Sequence, residues 1–244
     1  MKTQKMFLLF SAMLICGSIF SQDATALLKK MDEVMYASKD QTVKLKMTLI
    51  DKAGKETVRE AETIQKGNDK RLFRFISPAA QANIAFLSLP GEVMYLYLPA
   101  YEKERRIASH IKNQGFAGTD FSYDDMESKL YSDRYDAVSA KTEGNNYVLE
   151  LKPKATIKTE YTKMIVTMGK GNNYPICVKY YDKTGKQIKE LNNNKIEKKG
   201  NYWTATEFEM KDLRKGTKTK MQFTSIEFDK NISDEEFTVR KLIR

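Results

Sequence analysis

Residues 90–127 read PGEVMYLYLPAYEKERRIASHIKNQGFAGTDFSYDDME, and the punctuation of this stretch decides the fold class. Between Gly91 and Pro99, residues 93–98 are an unbroken run of apolar and tyrosine side chains. That length and those boundaries predict a strand buried on both faces or nearly so. Residues 103–107 carry Lys103, Arg105 and Arg106, which predicts a second strand with one wet face. Ser122 and Asp125 then form a capping-box-like pair, with aspartate in place of the usual Glu or Gln. Phe121 before the cap and Met126 at the fourth helical position have the spacing of a hydrophobic staple. The chain is thus expected to leave a sheet through a loop at Gly115 and Gly118 and to enter a pinned helix.

The same residues carry a family resemblance. YLPAYEKERRI at 97–107, followed by GFAGTDFSYDDM at 115–126, resembles the outer-membrane lipoprotein-sorting protein family, relatives of the periplasmic LolA and LolB carriers. In that family a similar LPA…RRI strand pair precedes a G-[ST]-DFSYEDM-like segment, and Asp124 and Asp125 fall where members alternate between Glu and Asp. A weaker likeness continues to DEEFTVRKL at 234–242. The resemblance implies an unclosed antiparallel half-barrel with a helical lid. It further implies a carrier of lipid or lipoprotein acyl chains, with an inner-membrane transporter of ABC or RND-like type as donor and an outer-membrane acceptor. A sensor or adaptor that binds lipid or protein and regulates a membrane partner is the alternative use of the same fold.

The start of the chain sets an address. Lys2 and Lys5 precede an apolar run at residues 6–15, broken by Ser11, and small residues lead to Ser21. This reads as a signal peptide over residues 1–21, too short for a span of ~20 apolar residues. Cleavage after Ser21 would leave residues 22–244 as a single periplasmic domain. Ile15 directly before Cys16 reads against a lipid anchor there. Cys177 is then the sole thiol, so no intramolecular disulfide is expected and the fold must rest on its core; in the run Ile176-Cys177-Val178 it reads as a small buried hydrophobe. Net charge is +10, and +8 once Lys2 and Lys5 leave with an acid-free leader. A basic surface favours anionic partners. Nucleic acid is not among those expected, for want of any binding motif.

Elsewhere the chain reads as one amphipathic helix followed by strands. Leu27, Leu28, Met31, Val34 and Met35 recur at helical spacing over residues 23–36, opposite Lys29, Lys30, Asp32 and Glu33. From Thr42 onward the period is two: Val43, Leu45, Met47 and Leu49 alternate with Lys44, Lys46 and Thr48. Asp51-Lys52-Ala53-Gly54-Lys55 and Asp182-Lys183-Thr184-Gly185-Lys186 read as hairpin turns of one chemistry. Strands are expected at 131–139, 147–152, 163–168, 176–181 and 187–191, with a wet segment at 192–200 and long strands at 202–210 and 218–228. Ile232, Ser233, Glu236 and Phe237 repeat the cap and staple. The sum is about eleven or twelve strands, a mainly β (α+β) chain whose one curved sheet needs helical cover.

Covalent chemistry finds little support. His110 is the chain's one histidine, so neither a zinc site nor a Ser-His or Cys-His pair is indicated. Asp124 and Asp125 sit at the second and third helical positions, where acids oppose the helix dipole; a hydrolase using them is the remote third reading. Gly115 and Gly118 are turn glycines rather than a phosphate loop. No catalytic residue, metal or cofactor is expected, and a monomer is. Strand parity and the staple instead nominate Leu45, Met47, Leu49, Phe73, Phe75, Leu96, Phe121 and Met126 as the lining of an apolar cavity. Met94, Met164, Met168, Met210 and Met221 add adaptable surface. Gly115 and Gly118 would form the hinge of a lid capped by Ser122 and Asp125.

Overall fold

Helix α1 (Ala24–Met35) begins where the sequence places it, because the Asp23 carboxylate accepts hydrogen bonds from the backbone N–H groups of Thr25 (2.9 Å) and Ala26 (3.3 Å). The computed structural model describes residues 23–244; the expected signal peptide at 1–21, with Cys16 and the cleavage site, lies outside the described residues. Leu27, Leu28 and Met31 are buried as their spacing requires. Asp32 is buried with them rather than on the wet side with Lys29 and Lys30.

Thirteen strands follow, more than the turns in the sequence mark. They are β1 (Asp40–Ile50), β2 (Glu56–Lys66), β3 (Lys70–Ser77), β4 (Ala85–Leu89), β5 (Val93–Leu98), β6 (Lys103–Arg106), β7 (Tyr135–Glu143), β8 (Asn146–Pro153), β9 (Lys163–Gly169), β10 (Pro175–Tyr181), β11 (Gln187–Lys199), β12 (Tyr202–Asp212) and β13 (Thr217–Phe228). All pair antiparallel in one open sheet of order β6-β5-β4-β3-β2-β1-β13-β12-β11-β10-β9-β8-β7. The two expected turns are alike in detail: Asp51 accepts from the N–H groups of Ala53 and Lys55, and Asp182 from those of Thr184 and Lys186.

That order has a consequence for residues 107–134. β6 and β7 are consecutive in the chain yet form opposite edges of the sheet. The segment between them must therefore cross from one edge to the other. Laid flat, thirteen strands would span ~60 Å at the usual spacing. Instead Phe73 of β3 and Met164 and Val166 of β9 share one core cluster with Phe116, Phe121 and Met126 of the crossing segment. The sheet is curved around that segment, an unclosed half-barrel with few helices. The segment itself holds the one-turn helices α2 (Tyr123–Met126) and α3 (Tyr131–Arg134).

The alternation of β1 carries the core logic: Val43, Leu45 and Met47 are buried and Lys44 and Lys46 exposed. On the other face of β3 and β4, Leu72, Ala85 and Leu87 make a smaller cluster with Phe237 and Leu242, under α4 (Val239–Leu242). Several expectations give way to these tertiary facts. β4 is the strand covered on both faces; in β5 Met94 is fully buried and the rest half-buried, because β5 lies next to an edge. β6, at that edge, is exposed along its whole length. Residues 131–134 are helical, so the expected strand starts only at Tyr135. β11 runs on through the segment expected to be wet, which holds no buried residue yet pairs with β12 as far as Lys199. Cys177 is half-buried rather than a core residue.

Candidate functional site

Between the concave face, α1 and the crossing segment lies a partly open groove of about 280 Å³, near the lower end of the ~300–1,000 Å³ usual for ligand clefts. Among the nominated residues, Leu45, Phe73, Phe121 and Met126 line it. Met47 and Phe75 are fully buried in the wall behind, and Leu49 and Leu96 pack against the core without reaching the groove. All four belong to or pack against the core cluster that holds Phe116, Phe121 and Met126 of the crossing segment. The second half of the sheet supplies lining not nominated from sequence: Val178, Tyr180, Phe208, Phe223 and Phe228. The signal for Phe208, Phe223 and Phe228 was the alternation of the long strands at 202–210 and 218–228; Val178 and Tyr180 lie in the strand expected at 176–181. Met164, Met210 and Met221 also line the groove.

The turn entering α2 is held by its own aromatic plug. Phe116 is completely buried, with ring centroids 5.4 Å from Phe73, 5.7 Å from Phe75, 5.7 Å from Phe86 and 5.9 Å from Tyr123. Gly118 adopts φ +77°, a conformation that L side chains rarely take, whereas Gly115 has φ −64° and bridges to Ser122. Arg59 Nη1 donates to the Ala117 carbonyl at 2.6 Å, and Asp120 Oδ2 accepts from Thr219 Oγ1 at 2.7 Å. The loop expected to hinge is thus tethered to β2 and β13. Opening would have to break those contacts.

At α2 both halves of the capping box are present: Asp125 N–H donates to Ser122 Oγ (3.1 Å), and Ser122 N–H to Asp125 Oδ2 (2.8 Å). The helix is one turn long. Asp125 also accepts from Tyr161 Oη and Lys189 Nζ, both at 2.9 Å, which ties the turn to β11. Asp124 stands in the first turn as expected and has a second part as well. It is buried against Arg134 (3.0 Å) and Lys129 (2.9 Å). Burial alone would raise its carboxyl, but those two cations hold it below the ordinary carboxylate range. Asp32 turns inward because its carboxylate accepts the free N–H groups of Tyr131 (2.9 Å) and Ser132 (2.8 Å) at the start of α3. Its pKa is raised by burial, against the lowering effect of those hydrogen bonds.

These carboxylates are saturated by cations and N–H groups, an arrangement suited to fixing a segment rather than to moving protons. His110 is exposed on the short turn Ser109–Ile111. No metal-ligating cluster occurs among the described residues, and no helix among them is long and apolar enough to cross a membrane.

A family model described as "Uncharacterized protein" matches residues 67–244. No curated protein matches the chain. A putative outer membrane lipoprotein-sorting protein domain from Vibrio parahaemolyticus is similar in structure, with TM-score 0.82, 24% identity, and coverage of 90% of this chain and 98% of that one. A DUF1329 family protein from Desulfovibrio piger superposes with TM-score 0.83 at 26% identity, covering 90% and 97%. A LolA superfamily protein from Nitrosomonas europaea gives 0.74 at 17% identity, covering 89% and 98%. The half-barrel is the LolA-superfamily fold.

Proposed function

The chain belongs to the family whose model spans residues 67–244, and on that premise we propose that its groove carries the acyl chains of a lipid or lipoprotein. The observation behind this is the lining: an apolar, partly open groove fed by both halves of the sheet and roofed by the crossing segment. Carriage needs no covalent step. Each buried CH₂ is worth ~0.8 kcal/mol, so a chain leaves water for the groove spontaneously and departs when a membrane or receptor offers equal shelter. The flexible thioethers of Met126, Met164, Met210 and Met221 suit chains of varied shape. With residues 1–21 acting as a signal peptide, residues 22–244 would work as one periplasmic domain. It would load from an ABC-type or RND-like inner-membrane transporter and deliver to the outer membrane. The structural relatives named for lipoprotein sorting support this direction of reading.

The test is to purify the protein from its native compartment, extract it with organic solvent and identify co-purified lipids by mass spectrometry, then to follow lipid transfer between vesicles. Bound acyl lipid and protein-dependent transfer are expected. A protein that is lipid-free and inert in transfer, but forms a stable complex with a signalling partner, would replace the carrier with a sensor or adaptor.

A further inference from the structure

Arg71 stands apart from the other cations of the groove. Lys129 and Arg134 are each paired with Asp124. Arg71 lines the same groove and is in no ion pair among the described residues. Its Nη1 donates to the Met126 carbonyl (3.0 Å) and its Nη2 to Gln65 Oε1 (2.7 Å). A guanidinium has five N–H donors, so donors are left over. Burial lowers its pKa, and the offsetting influence comes from Tyr36 rather than from a carboxylate. Gln41, Gln65 and Tyr36 also line this part of the groove, so Arg71 has polar but uncharged neighbours there, unlike Lys129 and Arg134 beside Asp124. Ser88, opposite Arg71 in the β3–β4 register, is fully buried and its hydroxyl has no hydrogen-bond partner.

Arg71 is half-buried; a cation partly withdrawn from water without a counter-charge is costly, and an anion brought to it recovers that cost through charge-assisted, bidentate hydrogen bonds. We propose that Arg71 and Gln65 form a subsite for the anionic headgroup, phosphate or carboxylate, of an acyl lipid whose chains occupy the apolar groove. This rests on the carrier reading and adds the class of cargo: anionic lipids over neutral ones of the same chain length.

Trp203 is the chain's one tryptophan and lines the groove, so its fluorescence reads ligand entry. Two matched pairs are titrated into the wild-type protein: oleate against oleyl alcohol, and phosphatidylglycerol against diacylglycerol with the same chains. The anionic member of each pair is expected to bind about tenfold more tightly or better. Arg71→Gln should erase most of that preference, read as the ratio of the two affinities within each pair so that any loosening of the roof cancels; Arg71→Lys should keep part of it. Should Arg71→Gln fail to fold, the wild-type pairs still decide. Equal affinity within both pairs overturns the headgroup subsite and leaves the carrier reading intact. Failure of all four ligands to bind overturns the carrier reading itself. Saturation by inorganic phosphate alone, over the range in which the lipids bind, would make Arg71 a free-anion site and also overturn the assignment.

Discussion

Asp124 and Asp32 are both 3% exposed, yet they act on stability with opposite signs. Asp124 is worth what a buried ion pair is worth to its partners. Replacing it with asparagine strands Arg134, itself 5% exposed, without a counter-charge, while Lys129 keeps Glu127. The expected loss is ~3–5 kcal/mol, read by urea unfolding. Its carboxyl is held below the ordinary 3.8, so the native state releases that proton more readily than the unfolded chain. The resulting stability is present above 3.8 and lost as pH falls through the lowered value. Asp32 is raised: the native state holds its proton more tightly, and stability falls as pH climbs from 3.8 through the raised value. Asp124→Asn should therefore cost more near neutrality than at about pH 3, and Asp32→Asn less. If the two costs shift with pH in the same direction, the assignment of causes is wrong for one of them.

At the scale of the element, the crossing segment divides into what local chemistry sets and what the sheet sets. The capping box was legible because Ser122 and Asp125 meet within one turn, whatever surrounds them. The burial of Asp124 was not, since Arg134 lies ten residues on and meets it only once the segment is folded, nor was the plug at Phe116, which depends on strands brought up from elsewhere in the chain. Phe116 reads in the sequence as part of a glycine turn; its four ring neighbours come from β3, β4 and α2. Phe116→Ala should accordingly cost ~3–5 kcal/mol. Ser122→Ala should cost ~1 kcal/mol and leave the melting temperature within a few degrees of wild type. For a carrier the smaller loss matters in another way, because looser fixing of the roof lets bound chains escape. Ser122→Ala should speed the release of a fluorescent lipid, and Phe121→Ala should speed it more. Phe121 lines the groove and meets Phe208 edge-on, with ring centroids 6.3 Å apart. Unchanged off-rates in a folded Phe121→Ala protein would make this turn scaffold and place the gate elsewhere.

For the molecule as a whole, strand alternation and turn residues were enough to read a mainly β chain with a single curved sheet. They did not reveal that β1 pairs with β13, because that contact joins the two ends of the domain and leaves no local mark. Without it the crossing of residues 107–134 could not be foreseen, nor which apolar positions would be covered by it. The same topology leaves two open edges, which in isolation would template pairing with another copy. Both are blunted. β6 is the short run Lys103–Arg106, exposed throughout and rich in charge, and β7 carries a register shift between Ala137 and Ser139 that breaks its regular pairing. Like charges on β6 would oppose each other if two copies met edge to edge. The protein is therefore expected to be monomeric by light scattering. In hydrogen exchange, β1 and β13, paired on both sides, should be the slowest elements, and β6 should exchange with rates close to those of the turns. Protection of β6 equal to that of β1, together with a doubled mass, would show that this edge is an interface between copies and that its charges are neutralised by a partner rather than by water.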